Sequence, residues 1–221
     1  MASVYELGCL GYEAAWDIQK QVHAEVLAGE REDMLIFVEH PPVLTLGASF
    51  HEENLLLSRE EYAARGIDVV RTDRGGDVTF HGPNQQVIYP IFDLRRYGKD
   101  LHKWLRDLEE AIILTCSAFG LPGTRSSVNT GVWINDRKVA AIGIKVSKWV
   151  SLHGIALNCN NDLSAFDLIV PCGIQTHGVT SLSKEAGREI GIEEAKPKII
   201  ESFETVFGVT FDSYEDSRSH S

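Results

Sequence analysis

The sequence predicts a single α+β domain. Its 221 residues suffice for one large domain with a substantial core. Helical and strand patterns both occur, but without the regular alternation that indicates a parallel α/β fold. No linker-like segment or internal repeat divides the chain. We therefore expect one domain over residues 1–211, followed by a polar and frayed tail over residues 212–221.

The first third of the chain predicts two helices and one buried strand. The apolar run Leu35–Val38 indicates the strand. Ser58 and Glu61 form the S-x-x-E pattern of a capping box, which opens a short helix that Gly66 can end. A longer amphipathic helix is indicated earlier by apolar residues spaced three and four apart, namely Tyr12, Ala15, Ile18, Val22 and Val26.

The middle of the chain predicts two strands and the second long helix. Val69–Arg71 and Val87–Tyr89 have strand character and lie on either side of a glycine-rich segment. The helix is indicated by apolar residues at helical spacing, namely Leu101, Leu105, Leu108, Ile112, Cys116 and Phe119.

The last third is rich in strands and ends in a helix. Val132–Ile134 and Val139–Ile142 flank the turn pair Asn135-Asp136, which predicts a hairpin. Val150–Leu157 supplies another strand. A terminal helix with Pro197 near its start is indicated by Ile199, Ile200, Phe203 and Phe207.

Composition limits the functional classes. Hydrophobic residues make up 43% of the chain and charged residues 24%, which is ordinary for a soluble globular protein. No apolar run approaches the roughly 18 residues that span a bilayer, and the N-terminus lacks secretory-signal features. A net charge of −11 argues against nucleic-acid binding. We expect a cytoplasmic protein with no membrane or nucleic-acid partner.

The cysteines are expected to be reduced thiols. Four of them, Cys9, Cys116, Cys159 and Cys172, lie far apart in the chain. Cys159 and Cys172, together with His153 and His177, have the side-chain types that bind zinc. Because no CxxC or HxxxH pair is present, we expect no metal.

A glycine-rich segment, Arg74–Pro83, has the character of a ligand-binding loop. It matches neither the phosphate-binding G-x-x-x-x-G-K-[ST] pattern nor G-x-G-x-x-G, and two adjacent glycines can simply form a tight turn. Glycines also let a backbone approach a ligand, while Arg74 and His81 can offer it hydrogen bonds. His153 is open to two interpretations, a satisfied core histidine or a residue that supports the site.

Cys172 is the candidate nucleophile. A thiol attacks as the thiolate, and a nearby ammonium group such as that of Lys138 can lower its pKa. The glycine-rich segment, the segment with Lys138 and the segment with Cys172 are each weak evidence of function alone. Their order along the chain is informative.

Seven segments together resemble the lipoyl(octanoyl) transferases of lipoate synthesis. The similarity extends roughly from Tyr5 to Phe207. One departure is Asn84, which stands where the family pattern has glycine; asparagine tolerates left-handed backbone angles, so the turn can survive. The matching segments are Glu39–Gly47, Arg74–Gln85, Gly131–Trp133, Lys138–Gly143, His153–Asn158, Pro171–Gly173 and Gly178–Leu182.

The resemblance implies a fold and a reaction. The fold would be a mixed β-sheet flanked by helices, similar to the catalytic domain of biotin and lipoate protein ligases. The reaction would transfer an octanoyl group from acyl carrier protein to a lysine of lipoyl domains. The implied acceptors are the lipoyl domains of 2-oxoacid dehydrogenase complexes and the glycine cleavage H protein. No cofactor is implied, and we expect a monomer.

The resemblance also implies roles for individual residues. Cys172 would carry the acyl thioester, and Lys138 would be its basic partner. Lys138 is preferred over Lys145 because it begins the matching K-x-A-A-I-G segment, and His153 would support the site. The implied substrate-binding residues are Arg74, Gly75, Gly76, Asp77, Val78, Thr79, Phe80, His81, Ala141, Ile142, Gly143, Gly154, Ile155 and Ala156.

Three alternatives remain at this point. An ATP-dependent lipoate or biotin ligase could share the fold, although an acyl-adenylate needs no cysteine. A cysteine hydrolase could pair Cys172 with His153 or His177. A non-catalytic module could merely hold the acylated carrier.

A basic run in the second long helix and the segment before it also has two interpretations. It is either a solvated helix face or a landing surface for an acidic carrier protein. The run consists of Arg95, Arg96, Lys99, His102, Lys103 and Arg106.

Overall fold

Ten strands and five α-helices are present in the computed structural model, which describes residues 2–126, 129–170 and 178–216. The helices are α1 (Tyr12–Ala28), α2 (Arg59–Ala64), α3 (Leu101–Ala118), α4 (Leu182–Ala186) and α5 (Ile192–Phe207). The strands are β1 (Ala2–Cys9), β2 (Asp33–Glu39), β3 (Val43–Leu46), β4 (Asp68–Arg71), β5 (Val78–His81), β6 (Gln85–Ile91), β7 (Gly131–Ile134), β8 (Arg137–Ser147), β9 (Val150–Asn158) and β10 (Phe211–Asp216).

A seven-stranded mixed sheet forms the centre of the fold. Its order is β10-β1-β2-β6-β9-β8-β7; β1 pairs in parallel with β10 and β2, and the other neighbours are antiparallel. A second sheet, β4-β3-β5, has three strands. The predicted mixed sheet flanked by helices is confirmed.

Both faces of the central sheet are covered. On one face, Val87, Tyr89 and Ala156 pack with apolar residues of α1. On the other, Ile88 and Ile155 join a larger core with α3 and α5. Adjacent residues of a strand point to opposite faces. The central strands therefore carry apolar residues on both faces, and helices shield the sheet from water on each side.

The local signals in the sequence correspond closely to these elements. Ser58 and Glu61 make both hydrogen bonds of the predicted capping box at the start of α2. The β7–β8 hairpin turns at Asn135 and Asp136, whose φ angles of 48° and 63° fit a type I′ turn. Asn84 also adopts a left-handed φ of 64°, so the turn survives without the family glycine as predicted.

The expected frayed tail is wrong over residues 212–216. These residues belong to β10, which pairs in parallel with β1 at the edge of the central sheet. Their side chains are largely exposed, whereas Phe211 at the start of the strand is buried. Backbone pairing with β1 orders the segment, and a polar composition does not reveal such pairing.

Two further boundaries differ from expectation. Pro197 lies inside α5, because that helix begins at Ile192 and includes a polar first turn with Glu193 and Glu194. The glycine-rich segment is only partly a loop, since its second half is strand β5 and pairs with β3. Val78 and Phe80 alternate with polar residues over only four positions, and Ile192 and Ala195 stand among charged residues, so both patterns are weak signals in the sequence.

Gly154 on β9 lies where a side chain has no space. A Cβ atom there would sit 2.2 Å from the Ile88 carbonyl oxygen and 2.7 Å from Cδ of Pro90. Both groups belong to the neighbouring strand β6, which is fixed by its pairing with β2. The sheet can therefore not move aside without losing contacts elsewhere.

We expect Gly154→Ala to lower the free energy of unfolding by about 1–3 kcal/mol, the usual cost of overpacking. Gly11→Ala is the matched control, because no described atom lies within 4 Å of its Cβ position and its φ is −56°. Urea denaturation of both variants measures the difference. Equal stability of the two variants would contradict the packing argument.

Candidate active site

A cavity of about 370 Å³ lies where the small sheet and the glycine-rich segment meet β8 and β9. Its volume is within the range of about 300–1,000 Å³ that is usual for small-molecule sites. Most of the predicted substrate-binding residues lie in its wall, and so does Lys138. Those in the wall are Arg74, Gly75, Gly76, Val78, Thr79, His81, Ala141, Ile142, Gly143, Gly154, Ile155 and Ala156.

Small residues on two paired strands create the space. Ala141 pairs with Ala156, and Gly143 pairs with Gly154, across β8 and β9. All four residues border the cavity, and none has a side chain larger than a methyl group. The K-x-A-A-I-G segment thus supplies the lysine and the room beside it.

The glycine-rich loop crosses β8 at close range. The backbone N–H of Gly75 donates to the carbonyl oxygen of Ile144 at 2.8 Å. A Cβ atom on Gly143 would lie 2.8 Å from the Gly75 carbonyl oxygen. Gly143 therefore permits the contact that closes this side of the cavity.

Arg74 holds the loop in shape. Its guanidinium group donates to Thr45 Oγ1 at 3.1 and 2.9 Å, to the Gly75 carbonyl at 3.0 Å and to the Asp77 carbonyl at 2.7 Å. The residue is buried. The sequence suggested that these donors would reach a ligand, but the structure directs them to the protein's own oxygens.

Asp77 and Phe80, which were also predicted to bind substrate, are not among the residues that line the cavity. The Asp77 carboxylate accepts hydrogen bonds from Asn54 Nδ2 at 2.6 Å and from the Val78 backbone N–H at 2.8 Å. Phe80 packs edge-on against Phe166 with ring centroids 5.8 Å apart. Both residues support the loop from behind.

His81 is a neutral member of the wall. Its Nδ1–H donates to Gln85 Oε1 at 2.8 Å, and its Nε2 accepts from the Thr45 hydroxyl at 3.3 Å. Burial is the main cause that lowers the pKa of His81 to about 3, and the neighbouring His40 also lowers it. It can offer a ligand the surface of a polar, uncharged ring.

His153 lies inside the fold, at the edge of the cavity. It is buried and fully paired, yet it also borders the cavity. Its Nε2–H donates to Asp73 Oδ1 at 2.6 Å, and its Nδ1 accepts from the Tyr12 hydroxyl at 3.3 Å. Burial lowers the pKa of His153 despite the adjacent carboxylate of Asp73. Because His153 pairs with Ile144, it lies six strand positions from Lys138 along β8.

Lys138 lies at the other end of the cavity. Its Nζ donates to the Thr130 carbonyl at 3.3 Å and lies 4.8 Å from the centroid of the Trp133 ring. Lys145, by contrast, forms an ion pair with Asp73 at 2.6 Å. The two lysines of β8 thus have different surroundings, and only Lys138 borders the cavity.

The candidate nucleophile Cys172 lies outside the described residues, as does His177. The three cysteines that are described have thiols poorly suited to attack. Burial raises the pKa of Cys116 and of Cys159 to about 12. Partial burial and Glu39 also raise the pKa of Cys9. The chain is next described at Gly178, whose carbonyl accepts the backbone N–H of Lys138 at 3.0 Å.

Comparison with known proteins decides the family. Residues 11–204 match the lipoyl protein ligase A/B catalytic domain. An octanoyltransferase from Flavobacterium psychrophilum is 46% identical, covering 93% of this chain and 96% of the relative. One from Chloroflexus aurantiacus is also 46% identical, covering 94% of each chain. The chain belongs to the octanoyltransferase family. It is an acyltransferase that transfers octanoyl groups in lipoate biosynthesis.

Solved structures agree with the fold of this octanoyltransferase family member. A lipoate-protein ligase A bound with ATP superposes with a TM-score of 0.77 at 15% identity, covering 100% of this chain and 92% of the ligase. A bi-partite lipoate protein ligase from Thermoplasma acidophilum, studied with its E2 lipoyl domain, gives a TM-score of 0.74 at 15% identity. That alignment covers 99% of this chain and 89% of the ligase.

Several polar residues of the site were not singled out by the sequence. Tyr12 and Tyr89 border the cavity, although their spacing indicated only a helix face and a strand. His40 lies behind them; its Nδ1–H donates to the Leu10 carbonyl at 2.7 Å and its Nε2 accepts from the Tyr89 hydroxyl at 2.8 Å. Burial lowers the pKa of His40 to about 4. The sequence pattern counted both tyrosines as part of apolar segments, so it did not reveal this network.

The basic run is largely paired with carboxylates. Arg95 contacts Asp93 at 2.7 Å, and Arg96 contacts Asp33 at 3.4 Å. Further along α3, Arg106 contacts Glu109 at 2.7 Å. Lys103 similarly pairs with Asp107. These pairs favour a solvated helix face over a landing surface, because the positive charges are locally balanced.

Two further observations concern the described part of the chain. Within it, no group of three His, Cys, Asp or Glu side chains is arranged to hold a metal ion. None of the described helices is long and apolar enough to cross a membrane.

The buried neutral histidines give the protein a pH-dependent stability. In the folded protein, His40 and His81 have pKa values below their ordinary value of 6.5. As the pH falls below 6.5, the unfolded chain therefore binds more protons than the folded one, which favours unfolding. The stability that the two neutral histidines contribute is fully present above about pH 6.5. Between about pH 6.5 and 4, we expect each of the two histidines to lower the free energy of unfolding by about 1.4 kcal/mol for every pH unit.

Urea titrations at several pH values in this window test the expectation. His40→Gln removes one titrating group and should reduce the slope, although it lowers stability at neutral pH through lost hydrogen bonds. An unchanged slope in this variant would contradict the assignment.

Proposed function

We propose that the chain takes octanoyl groups from acyl carrier protein and passes them to a lysine of lipoyl domains through a thioester on Cys172. The observation that carries this proposal is Lys138, whose side chain borders a cavity lined by small and apolar residues. The substrate-binding roles of the cavity residues are part of the same proposal.

The cavity suits an acyl chain of moderate length. Ala141, Gly143, Gly154 and Ala156 leave room beside the strands, and Ile142 and Ile155 add apolar surface. Each buried methylene contributes about 0.8 kcal/mol. An octanoyl tail therefore gains several methylene contributions that a short acyl group lacks, which favours the longer substrate.

The first half-reaction is a thioester exchange. The Cys172 thiolate attacks the carbonyl carbon of the donor thioester, and the bond to the carrier's sulfur breaks. The carrier thiolate leaves and takes the proton that Lys138 holds, which makes Lys138 neutral for the next step. One thioester replaces another, so the step is nearly isoenergetic and needs no ATP. The ammonium form of Lys138 would stabilise the attacking thiolate.

The second half-reaction is aminolysis. The acceptor lysine, with an ordinary pKa of about 10.4, must be deprotonated before its nitrogen can attack. A carbon–nitrogen bond then forms, the bond to Cys172 Sγ breaks, and a proton from the attacking amine passes to neutral Lys138. The amide product is more stable than the thioester, which drives the transfer.

The family and the chemistry support these partners. The acceptor is proposed to be a lipoyl domain, in accord with the relatives' octanoyltransferase names and the T. acidophilum ligase studied with such a domain. The glycine cleavage H protein is a further proposed acceptor. We place the reaction in the cytoplasm, where thiols stay reduced, and we propose that the protein acts as a monomer.

We expect Cys172→Ala to abolish octanoyl transfer and to form no acyl adduct with octanoyl carrier protein. Cys9→Ala is the matched control and should form the adduct normally, because the pKa of Cys9 is raised. Intact mass spectrometry before and after mixing reads out the adduct. An active Cys172→Ala protein would exclude the thioester mechanism, and transfer from free octanoate that requires ATP would point to a ligase.

We expect Lys138→Ala to slow both acyl-enzyme formation and aminolysis, by about 10²-fold or more each, the usual range for proton-transfer groups. Lys145→Ala is the matched control on the same strand and should retain most activity, since its ammonium pairs with Asp73. Rapid-quench measurement of each half-reaction provides the test. Wild-type acylation of Cys172 in Lys138→Ala would disprove the role in thiolate stabilisation.

A further inference from the structure

Both backbone hydrogen-bonding groups of Lys138 pair with the segment Gly178–Leu182. The N–H of Lys138 donates to the Gly178 carbonyl at 3.0 Å, and its carbonyl accepts from the Thr180 N–H at 2.9 Å. Val179 lies opposite Lys138 in a parallel bridge. Gly178–Leu182 is one of the segments that match the family, yet none of its residues has a role in the reaction described above.

A nearly buried carboxylate lies directly behind this contact. The Glu185 side chain on α4 is only 6% exposed. Its Oε1 accepts from Arg137 at 2.7 Å and from the Thr180 hydroxyl, and its Oε2 accepts more weakly from Asn135 Nδ2 at 3.4 Å. A charge this buried is stable only when it is well paired, and Arg137 and Thr180 are its close partners.

The partners of Glu185 are the residues that fix the path of Lys138. Arg137 precedes Lys138 on β8, and Thr180 bonds to its carbonyl oxygen. The backbone of Glu185 is held in the first turn of α4, where its N–H donates to the Ser181 carbonyl at 3.1 Å. One acid therefore ties the strand that carries Lys138 to the segment beside it.

We propose that Glu185 is a positioning residue that sets the direction in which Lys138 enters the acyl cavity. The proposal rests on the catalytic role of Lys138 proposed above. Glu185 does not border the cavity, so it acts through Arg137 and Thr180. A displacement of about 1 Å of a catalytic group can cost about 10²-fold in rate, whereas substrate binding need not change.

The test compares Glu185→Gln in the wild-type protein with the same change in Lys138→Ala. Glutamine keeps the shape and an acceptor for Thr180 but loses the ion pair with Arg137. In the wild-type background we expect kcat to fall about 10- to 100-fold, with KM for octanoyl carrier protein nearly unchanged. In the Lys138→Ala background, single-turnover incubations should show no further loss.

Two controls separate positioning from general damage. Glu189→Gln changes an exposed acid near α4, which contacts Asn160 at 3.3 Å, and should leave kcat unchanged. Arg137→Gln should lower kcat as Glu185→Gln does, and combining the two should cost little more than either alone, because the pair acts as a unit. Thermal unfolding shows whether each variant is folded at the assay temperature.

The outcomes are distinct. If Lys138→Ala keeps wild-type activity, the catalytic role fails and the positioning proposal fails with it. If Lys138→Ala is impaired as proposed but Glu185→Gln turns over normally, raises only KM, or loses the same factor in both backgrounds, Glu185 does not act through Lys138.

Discussion

The contact between the glycine-rich loop and β8 is the constraint on which the site depends. Gly75 donates to the Ile144 carbonyl, and Gly143 leaves space for the loop backbone. Arg74 then fixes the loop by bonding to Thr45 and to the loop's own carbonyls. This contact brings the loop against β8, where Gly75 and Gly76 form part of the cavity wall.

The electrostatics of the site follow from burial. His81 and His153 border the cavity, and burial lowers the pKa of each. Among the described residues of the wall, Arg74 and Lys138 are the cations, and Arg74 directs its hydrogen bonds to protein oxygens. Lys138 therefore provides the positive charge beside the cavity. Its placement depends on backbone contacts with Gly178 and Thr180 that lie far away in the sequence.

The family assignment and the structure explain different parts of the motif set. The K-x-A-A-I-G segment supplies both Lys138 and the small residues Ala141 and Gly143. The glycine-rich segment contributes wall residues and a scaffold, since Asp77 lies behind the loop. The Gly178–Leu182 segment contributes the backbone that braces Lys138. A motif can thus combine residues that border the cavity with residues that only hold them.

The sequence by itself determined the long helices, the capping box at Ser58 and the hairpin at Asn135, because each depends on local periodicity or turn chemistry. Its motifs also indicated the family and most of the cavity wall. Only the tertiary structure decided that residues 212–216 form an edge strand, since their order comes from pairing with β1. It likewise decided which loop residues face the cavity and which support it. Those outcomes depend on partners distant in the chain, and no local pattern encodes where a buried polar group finds its hydrogen bond.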